Sequence, residues 1–217
     1  MVNNQLGETT AAKSTCHGAT KGYLRCDSYL CGSMMYRSTV RPVLCMITDR
    51  RRHGGGWERA LVDRVAAAAY AGVHLIQIRE RDLDGRALTH LVKRCLAAVS
   101  GTLARIVVND RLDIALAAGA HGAHLRADSV PASRVRTAVS RRFLVGRSIH
   151  SCDEARQGRQ GGSLDYVIFG SVFESRSKPN VDAVGLDTLA NAVSATTIPV
   201  LAVGGVTPDR VHEIAKA

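Results

Sequence analysis

A chain of 217 residues, 46% of them apolar, is long enough to bury one substantial core, which excludes a wholly disordered protein. Its apolar stretches, such as Val65 to Ala71 and Ile198 to Val203, are broken by charge or glycine well short of the roughly 20 residues a bilayer crossing needs, so a soluble chain without a membrane partner is expected. A formal net charge of +10 suits an anionic partner, but three Phe, one Trp and no basic run interleaved with aromatics argue against nucleic acid and leave phosphorylated metabolites.

Residues 1–41 are polar and rich in Ser, Thr and Gly, with no apolar period, and read as an unstructured leader. They carry neither a secretory apolar core nor an Arg-rich amphipathic targeting helix, and Met34-Met35 marks a candidate natural start. Six cysteines, at 16, 26, 31, 45, 95 and 152, form no CxxC pair and are too sparse for a disulfide scaffold, which fits a reducing cytoplasm.

From residue 42 onward, β-branched runs alternate with helical patterns, the signature of βα units around a parallel sheet. The first strand is predicted near 43–48 and the first helix near 57–71, with Leu61, Val65 and Ala68 on one face. In the second strand, near 73–79, Val73, Leu75, Gln77 and Arg79 share one face while His74, Ile76 and Ile78 share the other. Its end, Gln77-Ile78-Arg79-Glu80-Arg81, offers an amide suited to a heterocycle edge and a guanidinium suited to a phosphate. An ion pair between Glu80 and a neighbouring arginine is the structural alternative.

A helix near 84–99 leads to a third strand, near 104–109, ending in Asn109-Asp110. Asp110 is either a magnesium ligand beside a phosphate or the cap of the next helix, near 111–118. A fourth strand near 122–125 and a helix near 131–140 precede the fifth strand, near 143–149, where Gly146, Ser148 and His150 share the inward parity. That hydroxyl and imidazole could bind phosphate and move protons, or the histidine could be structural.

After a helix near 151–160 and a sixth strand near 166–172, Ser175-Arg176-Ser177-Lys178-Pro179 reads either as an anion-binding loop or as a solvated one. The sixth helix, near 186–195, carries Leu186, Leu189 and Val193 on one face. The seventh strand, near 199–203, ends in Gly204-Gly205, which either presents backbone N–H groups to a phosphate or serves a tight turn. The last helix, near 208–217, opens with Thr207 as cap and Pro208 in its first turn. Polar residues thus gather at the C-terminal ends of the strands, where barrels and open α/β sheets place their sites. Seven units rather than eight imply a barrel left open or a chain cut short after Ala217.

Five strings in this order, IQIRERD, IVVNDRLDIALAAGAHGAHL, VGRSIHS, DYVIFGSVFESRSKP and IPVLAVGGVTPDR, resemble the thiamine phosphate synthase family, and the match runs from Val43 to the chain end. The resemblance implies a TIM-type (β/α) barrel over 42–217 with the eighth unit missing. It implies a transferase that joins a hydroxymethylpyrimidine diphosphate to a thiazole phosphate and releases diphosphate. It assigns Gln77 to the pyrimidine, and Arg79, Asn109, Ser148 and Lys178 to the diphosphate. Ser175 and Ser177 fall to the thiazole substrate, Gly204 and Gly205 to its phosphate, and Asp110 to magnesium. Arg81 stands where the family usually has a lysine, which keeps charge but not shape. An ungapped alignment puts Ser129 at the second magnesium carboxylate, with Asp128 one position early as the candidate ligand. The family's other branch is the TenI-like thiazole tautomerase, in which the position of His150 is the proton shuttle. A non-catalytic phosphate-binding or regulatory relative is the third reading, and the oligomeric state, homo-oligomer included, stays open.

Overall fold

The β-branched runs form seven strands, β1 (Cys45–Ile47), β2 (Leu75–Ile78), β3 (Arg105–Asn109), β4 (Gly122–Leu125), β5 (Leu144–Ile149), β6 (Tyr166–Gly170) and β7 (Val200–Val203). In this computed structural model, which describes residues 43–52, 55–159, 162–175 and 182–217, they make one parallel sheet whose spatial order follows the chain. The expected leader over 1–41 lies outside the described residues. Parallel neighbours need a crossover, and the helices supply it: α1 (Trp57–Tyr70), α2 (Gly85–Ala98), α3 (Leu112–Ala118), α4 (Ala132–Ala138), α5 (Cys152–Arg159), α6 (Gly185–Ser194) and α7 (Val211–Lys216).

Strand parity sorts the side chains as the period of two predicts. Ile76, Ile78, Ile106 and Val108 face outward and pack with Leu61 and Val65 of α1 and Leu91 and Val92 of α2. Leu75, Val107, Leu144, Tyr166, Ile168 and Leu201 face the other way and fill the interior of the curled sheet. Each such side chain, once buried, contributes about 1.5–3 kcal/mol. Helix starts are partly set by side chains: Asp84 accepts from the Ala87 N–H at 2.8 Å and caps α2.

The last predicted helix differs from expectation. A 3-10 turn over Pro208–Arg210 precedes the six-residue α7, and Thr207 makes no side-chain cap bond, so Pro208 alone marks the start. The result is a (β/α) barrel of the TIM type with seven units, and among the described residues β1 and β7 do not pair. A large cavity opens at the strand ends and runs into the seam between these two strands.

Candidate functional site

Period-two alternation carries an inward residue to the C-terminal end of each strand, and the cavity of about 1240 Å³ collects them. Gln77, Arg79, Arg81, Asn109, Asp128, Ser148, His150, Ser175, Gly204 and Gly205 all line it. Ser177 and Lys178 lie outside the described residues. Asp110 is not among the lining residues; its carboxylate stands 3.8 Å from the guanidinium of Arg126, which is.

Cations crowd the β2 end of this cavity. Arg79 loses some of its affinity for its proton, first through burial and then through repulsion from Arg81 and Arg51. Neither Arg79 nor Arg81 has an ion-pair partner among the described residues. Asp49 and Glu80 offset part of this repulsion without forming an ion pair to either guanidinium, and like charges held together in this way attract an anion. Glu80, in contrast, does not pair with an arginine side chain among the described residues, as one reading expected. It is buried at 4% exposure, accepts from the Thr48 hydroxyl at 2.5 Å and from the Arg50 backbone N–H at 3.0 Å. Thr48 in turn accepts from the Arg79 N–H at 2.9 Å, so this buried trio fixes the strand end from which the two arginines project.

Deeper in, Gln77 is 2% exposed, and its Nε2 donates to Asn109 Oδ1 at 2.9 Å. Among the described residues its Oε1 has no partner, which leaves a buried acceptor, in a residue that lines the cavity, at a cost of about 1–3 kcal/mol. Beside it His124, 1% exposed, sits between two hydroxyls: Nε2 is 2.9 Å from Ser148 Oγ and Nδ1 is 3.2 Å from Tyr166 Oη. Burial lowers the His124 pKa to about 4, so the ring is neutral near pH 7.

At the β3 end, Asp110 has a left-handed backbone, φ 62°, a conformation that Asp tolerates better than most residues with a side chain. It does not cap α3; the cap position is Arg111, without a side-chain cap bond. Instead Asp110 Oδ1 accepts from the Ser129 hydroxyl, which also accepts from the Arg126 N–H at 2.9 Å. Arg126 pairs with Asp128 and lies 3.8 Å from Asp110 Oδ2. The loop is held from the other side by Arg147, whose guanidinium donates to the carbonyls of Ala127, Ser129 and Val130.

This arrangement answers whether magnesium fits. Among the described residues no three His, Cys, Asp or Glu side chains cluster as a ready-made cage. Magnesium, however, usually takes one or two carboxylates and completes its shell with water and substrate phosphate. Asp110 and Asp128 both face the cationic head of Arg126, which stands in for the ion they would share. These two carboxylates are the groups that could hold a magnesium arriving with a phosphorylated substrate, with the Arg126 guanidinium moved aside.

His150 Nδ1 lies 2.7 Å from the Gly170 carbonyl. Because a carbonyl only accepts, Nδ1 carries a proton and donates it there. Gly204 and Gly205 adopt φ of 98° and 61°, and a Cβ would meet Ser171 Cα at 2.6 Å and the Glu174 carbonyl at 2.4 Å, so the tight-turn reading accounts for both glycines. The helix that follows is short, which weakens its dipole as an anion site.

Sequence reasoning missed Thr48, His124, Tyr166, Arg126 and Arg147. The signal for His124 was present: in Gly122-Ala123-His124-Leu125 it shares the inward parity of Ser148. Arg126 lies in the loop after β4, where no period applies, and Arg147, though in β5, acts on the carbonyls of that loop, which strand parity does not place.

The model of the family described as thiamine monophosphate synthase matches residues 44–217. A thiamine-phosphate synthase of Roseiflexus castenholzii is 35% identical over 178 residues, 82% of this chain and 76% of the relative. A putative thiamine-phosphate synthase of Geobacter sulfurreducens is 37% identical over 171 residues, 78% of each chain. Among solved structures, a thiamine phosphate pyrophosphorylase from Pyrococcus furiosus superposes with a TM-score of 0.69 at 29% identity, covering 80% of both chains.

Proposed function

Because the chain belongs to the thiamine monophosphate synthase family, we propose that it joins a hydroxymethylpyrimidine diphosphate to a thiazole phosphate, releasing diphosphate. The observation that carries this reading is the meeting of an orphaned amide acceptor, Gln77 Oε1, with the crowded guanidinia of Arg79 and Arg81 in one cavity. One end suits the amino edge of a heterocycle and the other a diphosphate.

The chemistry asks for little else. Breaking the bond from the pyrimidine methylene to diphosphate leaves a cation on carbon and negative charge on the leaving group. Arg79, Arg81, Asn109 and Ser148 stabilise that negative charge from fixed strand ends, and Lys178 is assigned to it from the loop after β6. Asp110, with Asp128, would hold a magnesium ion that neutralises the diphosphate further. Ile168 lines the cavity above the buried cluster of Leu75, Val107 and Tyr166, an apolar side that helps keep water from the carbon centre until the thiazole nitrogen captures it. Ser175 and Ser177 are assigned to the thiazole, and the Gly204-Gly205 turn to its phosphate.

Purified full chain should form thiamine phosphate from the two substrates with magnesium, lose that activity in EDTA, and be severely impaired by Lys178→Ala. Turnover unaffected by EDTA would remove the metal from the mechanism; absence of product under all conditions would remove the reaction. One observation favours a second reading, a thiazole tautomerase: the His150 ring is held through Nδ1 by the Gly170 carbonyl, which leaves Nε2 available to move a proton. In that case His150→Ala abolishes isomerisation and Asp110→Ala is nearly silent.

No helix among the described residues is long and apolar enough to cross a membrane. We place the reaction in the cytoplasm on a different ground: the sparse cysteines, without a CxxC pair, suit a reducing compartment.

A further inference from the structure

We propose that the buried Tyr166–His124 pair sets the polarity of Ser148, so that its hydroxyl offers a proton, rather than lone pairs, to the anion bound at the strand ends. Both are positioning residues that act through Ser148. The inference rests on the reading that this cavity takes a diphosphate.

The three side chains come from adjacent strands in one row of the barrel. His124 of β4 pairs with Gly146 of β5, Gly146 pairs with Tyr166 of β6, and Ser148 stands two residues further along the same face of β5. The tyrosine ring lies directly over Gly146: a Cβ there would sit 2.1 Å from Tyr166 Cζ. Only glycine leaves room for the ring to reach across to the histidine.

Proton positions follow from counting donors and acceptors. Tyr166 is 1% exposed, and among the described residues its hydroxyl has one hydrogen-bond partner, His124 Nδ1 at 3.2 Å. A phenol proton buried without an acceptor is costly, so Tyr166 donates to Nδ1. A nitrogen that accepts carries no proton, and the single proton of the neutral ring is therefore on Nε2. That N–H donates to Ser148 Oγ at 2.9 Å. With one lone pair engaged from within the barrel, the serine hydroxyl turns its own proton into the cavity it lines.

The opposite order fails twice. If Nδ1 carried the proton, Tyr166 would be left with an unpaired buried hydroxyl proton. Ser148 would then donate inward to Nε2 and turn only lone pairs to an anion, which repels it.

The decisive measurement is the 15N spectrum of the full chain labelled at histidine, at pH 7 without ligand. The expected result is a protonated Nε2 and a pyridine-like Nδ1 for His124; the reverse assignment overturns the proposal. A second measurement is calorimetric titration with inorganic diphosphate and magnesium. Tyr166→Phe, which keeps the ring and removes the hydroxyl, should weaken binding about tenfold, as Ser148→Ala does, because a hydrogen bond to a charged group is lost in each. The double variant should lose little more than either single one. His124→Gln, which keeps a donor near the position of Nε2, should retain more affinity than His124→Leu. Unchanged affinity in Tyr166→Phe beside a loss in Ser148→Ala would sink the relay. If the unaltered chain binds no diphosphate, the reading of the cavity fails instead, while the tautomer still decides the proton order.

Discussion

Arg126 is the side chain whose replacement separates charge from metal in this site. Its guanidinium stands between Asp110 and Asp128, so a divalent ion has to displace it or share the space with it. Removing the cation leaves two carboxylates facing each other, which favours a divalent ion. Arg126→Ser is therefore expected to bind Mn²⁺ several-fold more tightly than the unaltered chain, read from the EPR signal of free Mn²⁺. Equal affinity would show that the guanidinium does not compete. Gln77 allows a different separation. Its buried Oε1 lacks a partner among the described residues, so Gln77→Leu abolishes that cost while also leaving Asn109 Oδ1 without its donor. Because Asn109 is half-buried and open to water, the two effects should nearly cancel, within about 1 kcal/mol of stability. The KM for the pyrimidine diphosphate should nonetheless rise at least tenfold. A large fall in the urea midpoint together with an unchanged KM would assign Gln77 to the core instead.

At the level of elements, strands were legible and loops were not. Inward parity is a property of a strand alone, which is why Gln77, Asn109 and Ser148 could be placed on one rim from their spacing. The side-chain partners of Asp110 depend on how a separate loop folds over it, and the sequence there supports a helix cap as readily as a metal ligand. The last helix was overextended because Thr207 and Pro208 are valid start signals, whereas the 3-10 turn that follows depends on packing at the open seam. Glycines in strands mark close approach, and Gly146 gives the sharpest case. Gly146→Ala puts a methyl group inside the Tyr166 ring and should destabilise the fold by about 1–3 kcal/mol. Tyr166→Leu in the same chain removes the obstacle and should recover part of that loss in a thermal melt. If the single change is silent, the ring does not rest on β5.

Across the whole molecule, one buried and two half-buried histidines shape how stability responds to acid. His124 has a folded pKa of about 4 against an ordinary 6.5, and burial lowers His121 and His74 in the same direction. Between those two values the unfolded chain holds protons that the folded chain refuses. Stability is thus fully present above pH 6.5 and is lost as the pH falls toward 4. For His124 alone the loss amounts to about 3 kcal/mol over the window, a large share of the roughly 5–15 kcal/mol that holds a typical domain together. Urea midpoints taken from pH 7 down to pH 4.5 should fall steadily, and His124→Gln should flatten the slope even if it lowers the midpoint at pH 7. A midpoint that stays level down to pH 4.5 would mean that His124 takes up its proton in the folded barrel, and a charged ring there could not accept from Tyr166. The same neutrality keeps the proton order around Ser148 constant from pH 7 down to about 5, so over that range activity should follow groups at the rim rather than those beneath it.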